Sequence, residues 1–480
     1  MKNFKKVLSV LLVLSFLIAL PSCIFRTKDP LPPEDKTLKT LTVYNMYDSN
    51  DVFDSLIQKY VANHPYTNIV YKKFTNFKDY ETEILNGLAE GEGPDIFAMP
   101  NNWFIKNRKK LVPMPDALGT VDAFRSIFVD VAAKDLITTD SGGVEHAYGV
   151  PMYVDNLALY YNKDQYEDRV PTRGKPATTW DGIKNDVYAL TKTGPAPSYF
   201  DVAGIAMGKS KNIVNAVDIL YALMIQFGTA FYDSTMSNCI LASSGSTATG
   251  EVPSDSALDF YTSFSNSSQK HYSWNEYMAE DYGSSDIAAF AAGKVSMIFG
   301  YSTTYPQILA QINSLKEKGV SVIDVSAIKT APFPQLNDPA VSTNKRDTYA
   351  SYFAFGVSRT TKFSDAAWDF LTFITSPENE RYYFEKTNKP TSRRDLIAEE
   401  KLDPLYGTFV NQVGYAESFP IVDIEKYNEM FSSAIDAVNN GKSSRNTLTT
   451  IQDTITLMLP KNGYITPLNP EANKAKTPAQ

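Results

Sequence analysis

Cysteine is nearly absent from this chain of 480 residues, with Cys23 and Cys239 the only two. Disulfides therefore add nothing once Cys23 is used otherwise, and stability has to come from an ordinary apolar core. Histidine is as scarce. His64, His146 and His271 are scattered, with no His-Glu-x-x-His and no cysteine pair, so no metal site is read and no cofactor is expected. No Gly-x-x-x-x-Gly-Lys-Ser/Thr run exists: Gly91-Glu92-Gly93 reads as a helix stop, and the Gly-Lys-Ser at Gly208 lacks the first glycine. A Gly-x-Ser-x-Gly nucleophile elbow is missing too. Positive charge is short as well, the formal net charge being −8, which argues against nucleic acid or an anionic membrane face as partner. No internal repeat or heptad run stands out.

Both ends carry sequence of a different kind. Lys2, Lys5 and Lys6 precede an uncharged run from Val7 to Leu20, then Leu20-Pro21-Ser22-Cys23. That run falls short of the about 20 residues a membrane span needs, so residues 1–22 read as a cleaved export signal. Leu-Pro-Ser-Cys resembles the bacterial lipobox, which makes Cys23 the expected lipid-bearing first residue, with an incidental cysteine behind an ordinary secretory signal as the alternative. Loss of residues 1–22 removes three lysines and moves the net charge from −8 to −11. Pro30, Pro32 and Pro33 make residues 23–38 a semi-extended tether, and residues 466–480 read as a disordered tail. Length alone suggests about three domains, and 43% hydrophobic residues suffice for large cores.

From Lys39 the pattern becomes periodic. Lys39–Met46 alternates as a strand, and Val52, Phe53, Leu56, Ile57, Tyr60 and Val61 recur at helical spacing up to His64-Pro65. Asn68–Phe74 is a second strand, Lys78–Ala89 a second helix, and Pro94–Met99 a third strand. This order implies parallel strands with right-handed crossovers, and ligands of such sheets bind beyond the carboxyl ends of the strands. Those ends read MYDSN (Met46–Asn50), TNFKD (Thr75–Asp79) and PNNWF (Pro100–Phe104), each pairing a polar group with an aromatic. Flat rings cover the C–H faces of a sugar while amides and carboxylates bridge its hydroxyls. A lone tryptophan such as Trp103 is otherwise a packing residue.

The stretch YGVPMYVDNLALYYNKDQY, Tyr148–Tyr166, holds five tyrosines. Alternation from Leu157 to Tyr161 predicts a half-buried strand, which leaves Tyr153, Asp155 and Asn156 unexplained.

Several spaced motifs together carry a resemblance: LAEGEGPDIF, the Tyr148–Tyr166 stretch, PATTWDGIKNDVYALTK (Pro176–Lys192), AAFAAGKVSMIFGYS (Ala288–Ser302), YFAFGVSRTTKFSDAAWDFLTFITSPENE and NKPTSRRDL. They resemble the extracellular solute-binding proteins of ABC importers, of the type that includes maltose-binding protein, over roughly Thr40–Leu459. The resemblance implies an α/β, two-lobe periplasmic-binding-protein fold, type II-like, with discontinuous lobes joined by hinge crossovers. Lobe one would hold 39–153 and 347–390, lobe two 154–346 and 391–465. The chain would cross near Tyr153–Asn156, placing those side chains at the cleft floor.

Carried over position by position, the expected ligand contacts are Tyr47, Asp48, Asn102, Trp103, Tyr153, Asp155, Asn215, Tyr301, Ser302 and Tyr427, with Asn212 beside Asn215. Asp155 falls where the maltose-binding pattern has a carboxylate. Asn102 puts an amide where that pattern has another, which departs from maltose itself. Asn156 and Arg393 are the expected hinge residues, although Ser392 occupies the place of the motif's arginine. The implied function is capture of a small solute, a sugar or oligosaccharide, by lobe closure, and its delivery to ABC permease subunits by a monomer anchored through lipid on the extracytoplasmic face of the membrane. No catalytic residue is expected. A tethered polysaccharide-active enzyme stays open as the alternative, because two carboxyls about 5 Å apart would suffice for a retaining glycosidase, and 54 acids leave room for such a pair.

Overall fold

A computed structural model describes residues 36–194, 199–243, 251–341 and 343–469. The export segment, Cys23, nearly all of the tether and the tail beyond 469 lie outside the described residues. Chain contacts divide at Leu38, and the architecture below is that of the unit from Lys39 onward. No helix among the described residues is long and apolar enough to cross a membrane.

Nine strands form the two main sheets: β1 (Lys39–Met46), β2 (Thr67–Phe74), β3 (Ile96–Pro100), β4 (Leu111–Val112), β5 (Val150–Pro151), β6 (Ala158–Asn162), β7 (Met297–Gly300), β8 (Ile328–Ala331) and β9 (Phe353–Ser358). The first sheet runs β2-β1-β3-β9-β4, with β5 paired to β9. Strands β1, β2 and β3 are parallel, as the alternating strand and helix pattern predicts, while β9 enters antiparallel between β3 and β4. Val52, Phe53, Leu56 and Tyr60 are buried along the helix Asn50–Asn63, which stops at His64 because Pro65 cannot continue it. The next helix spans Phe77–Glu90. Asn76 caps it by accepting from the backbone N–H of Lys78 and Asp79, and Gly91 closes it at φ 75°.

The second sheet runs β7-β6-β8, antiparallel throughout. Here the expected half-buried strand needs correction: all five residues of β6 are buried. The strand lies between two neighbours and is covered on both faces, so its alternation does not mark a wet side.

Two apolar cores accompany the two sheets, and the molecule is the two-lobe α/β fold. The first gathers Leu41, Val43, Phe53, Ile96, Phe355 and Trp368. The second gathers Tyr160, Leu220, Trp274, Phe299 and Phe431 around Trp180, whose ring meets Phe260, Phe264, Phe299 and Phe333. Val154 belongs to the first core and Leu157 to the second, and likewise Ala350 to the first and Tyr349 to the second. These two stretches touch: Leu157 N–H donates to Tyr349 O at 3.0 Å, and Ser351 N–H donates to Asp155 O at 3.0 Å. Beyond residue 390 the chain stays with the first core, because Thr391 and Ser392 bond Glu380 and Arg394 N–H donates to Ile127 O. Leu405 and Tyr406 then pack on the second.

Candidate ligand cleft

At the carboxyl ends of β1, β2 and β3 the aromatics that follow each strand meet through a fourth. Tyr47 directly follows β1 at φ 65°, a left-handed backbone that costs a tyrosine about 1–2 kcal/mol. Its ring, 54% exposed, stands edge-on to Phe353 at 6.1 Å. Phe353 meets Phe77 at 6.4 Å, and Phe77 meets Trp103 at 5.1 Å. The row Tyr47, Phe353, Phe77, Trp103 is one apolar platform. Beside it, Lys106 Nζ lies 5.3 Å from the Trp103 ring centroid and donates to Val422 O at 2.6 Å. Asn102 O accepts from Ile421 N–H at 3.1 Å. Asn102 Oδ1 and Trp103 Nε1 are buried without a partner.

Asp48 is committed elsewhere. Lys389 Nζ donates to Asp48 Oδ1 at 2.5 Å, while the Tyr383 hydroxyl at 2.7 Å and Asn45 Nδ2 at 3.0 Å donate to Oδ2. With 7% of Asp48 and 9% of Lys389 exposed, this is a buried ion pair rather than a carboxylate free to meet a ligand. Lys389 also sits 4.4 Å from the Tyr153 ring centroid. Burial pulls its pKa down, but Tyr153 and Asp48 outweigh that and the net shift is upward. Tyr153 stacks on Tyr383 at 5.9 Å, and its hydroxyl accepts from Phe353 N–H at 3.2 Å. The first lobe's platform and the crossing strand thus share one polar anchor.

At the crossing, Asp155 accepts from Ser302 N–H at 3.0 Å, from Ser302 Oγ at 2.7 Å and from Asn156 N–H at 2.9 Å. Burial raises its pKa to about 6, against the pull of those donors. Asn156 is fully buried. Its Nδ2 donates to Phe409 O at 3.0 Å, and its Oδ1 accepts from Gln412 Nε2 at 2.7 Å. Gln412 also donates to Leu157 O and accepts from Phe333 N–H, so this amide pair locks the crossing strand to the second lobe.

The second lobe contributes Tyr301, half-buried, whose hydroxyl donates to Asp218 Oδ2 at 2.7 Å. Asn215 Nδ2 donates to Phe299 O at 3.2 Å, and Asn212 bridges Asn275 O and the Trp274 indole. Tyr427, expected at the cleft, lies in the second core with 1% exposed, its hydroxyl 2.8 Å from that of Tyr232. Arg393, expected to bridge lobes, bonds Asp395 at 2.9 Å and Thr375 O at 3.0 Å, both local to the first core. Sequence reasoning missed Phe353, Lys389, Gln412 and Asp218. Lys389 stands in the quoted NKPTSRRDL motif and Phe353 in the alternation of YFAF; nothing in the residues around Gln412 or Asp218 singles them out.

A separate surface groove of about 810 Å³ runs between helices Ile424–Asn439 and Ser444–Met458. Its Thr447, Thr450 and Thr454 hydroxyls are spent on their own helix. Among the described residues no group of His, Cys, Asp and Glu is arranged to hold a metal.

Residues 48–381 match the family model described as bacterial extracellular solute-binding protein. A protein of Brucella abortus named as a putative binding protein is 21% identical over 423 residues, covering 84% of this chain and 92% of the relative. Among solved structures, the sugar-binding protein MalE from Xanthomonas citri superposes with a TM-score of 0.69 at 16% identity, covering 88% of this chain and 97% of that one. A cyclo/maltodextrin-binding protein complexed with maltotetraose gives 0.65 at 16% identity, covering 88% and 97%. An ABC transporter solute-binding protein from Thermotoga lettingae, bound with alpha-D-tagatose, gives 0.61 at 18% identity, covering 88% and 99%. At such identities these structures establish the fold.

Proposed function

Because the chain belongs to the bacterial extracellular solute-binding proteins, we propose that it captures a sugar or oligosaccharide between its two lobes and delivers it to an ABC importer. The observation that carries the carbohydrate reading is the aromatic row Tyr47, Phe353, Phe77 and Trp103, set beside the unpartnered Asn102 Oδ1. Rings of that kind cover the apolar face of a pyranose, and a buried acceptor without a donor awaits a hydroxyl. The tagatose and maltotetraose held by structural neighbours support the same class.

Capture works by closure. Ligand settles on the platform, and the second lobe rotates about the crossings at Val154–Leu157 and Tyr349–Ser351, bringing Tyr301 and its neighbours over it. Permease subunits then read the closed form. The role is binding without turnover, carried out by a monomer. Cys23 bears a lipid and the residues after it tether the body to the outer face of the membrane. Radiolabelled palmitate should enter the wild type and not Cys23→Ser.

Calorimetry and thermal shift of residues 24–480 against sugars, peptides and polyamines test the capture reading. A sugar at about a hundred times its Kd should stabilise the fold by about 2.7 kcal/mol. A flat response to every sugar would overturn the carbohydrate assignment, and accumulation of a hydrolysed product would overturn the binding role.

A further inference from the structure

The carboxylate of Asp218 has an unusual setting. It lies in the first turn of the helix Ala216–Gln226 and accepts one hydrogen bond, from the Tyr301 hydroxyl at 2.7 Å. Among the described residues no lysine or arginine pairs with it, and burial pushes its pKa up to about 6 while Tyr301 pulls it back. Three tyrosines surround it. Tyr301 holds it directly, and Tyr221 and Tyr349 feel its charge. The Tyr221 hydroxyl is buried without a partner beside Tyr349, the two rings 5.5 Å apart, and so is Oδ1 of Asn102, whose backbone carbonyl accepts from Ile421 N–H of the same core. One small region where the lobes face each other therefore holds a carboxylate lacking a counter-cation, an orphaned hydroxyl and an orphaned acceptor.

The buried Tyr221 hydroxyl and Asn102 Oδ1 lack the partners that water would have given them, whereas Asp218 is half-buried and keeps part of its carboxylate surface open. The three groups together define what would satisfy them. Asp218 and Asn102 Oδ1 need donors, whereas the Tyr221 hydroxyl can donate and needs an acceptor. A ligand hydroxyl is both at once. An ammonium group satisfies the first two and not the third, and an anionic group is repelled by Asp218.

Resting on the capture reading above, we propose that Asp218, with Tyr221 and Asn102, is the specificity-determining set of this cleft, and that it selects a neutral sugar presenting adjacent hydroxyls while rejecting acidic sugars. Asp218 takes the ligand-bridging carboxylate role that Asp48 and Asp155, both bonded within the protein, do not fill.

The test titrates residues 24–480 with maltose, mannobiose, tagatose and maltotetraose as neutral probes and with D-glucuronate and D-glucosamine as charged ones. The wild type should bind a neutral probe at least about tenfold more tightly than either charged one. Asp218→Asn should weaken that neutral probe by about tenfold or more and narrow its margin over glucuronate, with the ligand-free melting temperature little changed. Tyr221→Phe separates a ligand role from a structural one: deleting an orphaned hydroxyl should leave the ligand-free protein as stable or more so, yet weaken the neutral probe. Unchanged affinity in both variants would overturn the assignment and leave capture standing, as would a wild type that prefers glucuronate or glucosamine. A wild type silent toward all six probes would sink the carbohydrate assignment and this inference with it.

Discussion

Asp155 and Ser302 hold each other through both the serine N–H and its hydroxyl although 147 residues separate them. One stands at the crossing between cores, the other directly after Tyr301. Burial raises the Asp155 pKa from 3.8 to about 6, so the folded protein binds this proton more tightly than the unfolded chain does. The carboxyl's contribution to stability is fully present below the unfolded value of about 4 and is lost as pH rises through the folded value of about 6. Stability should therefore fall as pH rises from about 4 to 6, by about 3 kcal/mol from this group, and stay level above. Urea unfolding from pH 4 to 7 should show that decline, and Asp155→Asn should flatten it. An identical slope in the variant would refute the assignment.

Lys389 and Asp48 form a buried pair 341 residues apart in sequence. Lys389→Met leaves Asp48 uncompensated and should cost about 3–5 kcal/mol. Adding Asp48→Asn should recover a large part of the loss. Denaturation of the single and double variants measures both, and additive losses would show that the pair is uncoupled.

Tyr47 is exposed, and its ring borders no core residue other than Phe353 among the aromatic contacts described. Tyr47→Ala should change ligand-free stability by no more than about 1 kcal/mol. The loss of ring stacking should weaken sugar binding by about three- to tenfold. Calorimetry read against the melting curve separates the two effects.

Tyr427→Phe distinguishes core from cleft. Its hydroxyl pairs with Tyr232, which keeps its bond to Pro420 O at 2.7 Å in the variant. The expected cost is about 1 kcal/mol of stability, with no change in affinity. Weaker sugar binding at unchanged stability would return Tyr427 to the cleft.

What was legible in the sequence follows from range. Periodicity and caps are local, so β1 to β3, their parallel order and the aromatics at their ends could be read directly. The burial of β6 on both faces could not, because it depends on β7 and β8, more than a hundred residues downstream. Asp48 looked like a ligand carboxylate because its partner Lys389 is invisible from residue 48. Tyr427 looked like a cleft aromatic because a tyrosine at a helix start reads the same whether it faces a core or a cavity. Asp218 went unread for the opposite reason: an acid in a helix's first turn is ordinary until the tyrosines around it are known.

The place of β9 in the first sheet has a consequence for biosynthesis. A ribosome working from the amino terminus finishes β1, β2, β3 and β4 long before it reaches Phe353–Ser358, the strand that joins β3 to β4. Until about three quarters of the polypeptide has emerged, the nascent half-sheet keeps an open edge with Ile96 to Met99 unpaired on that side, and loop closure over so long a span is slow. The newborn chain thus remains pliable and threadable until that strand arrives, a timing written into strand order rather than into any single residue.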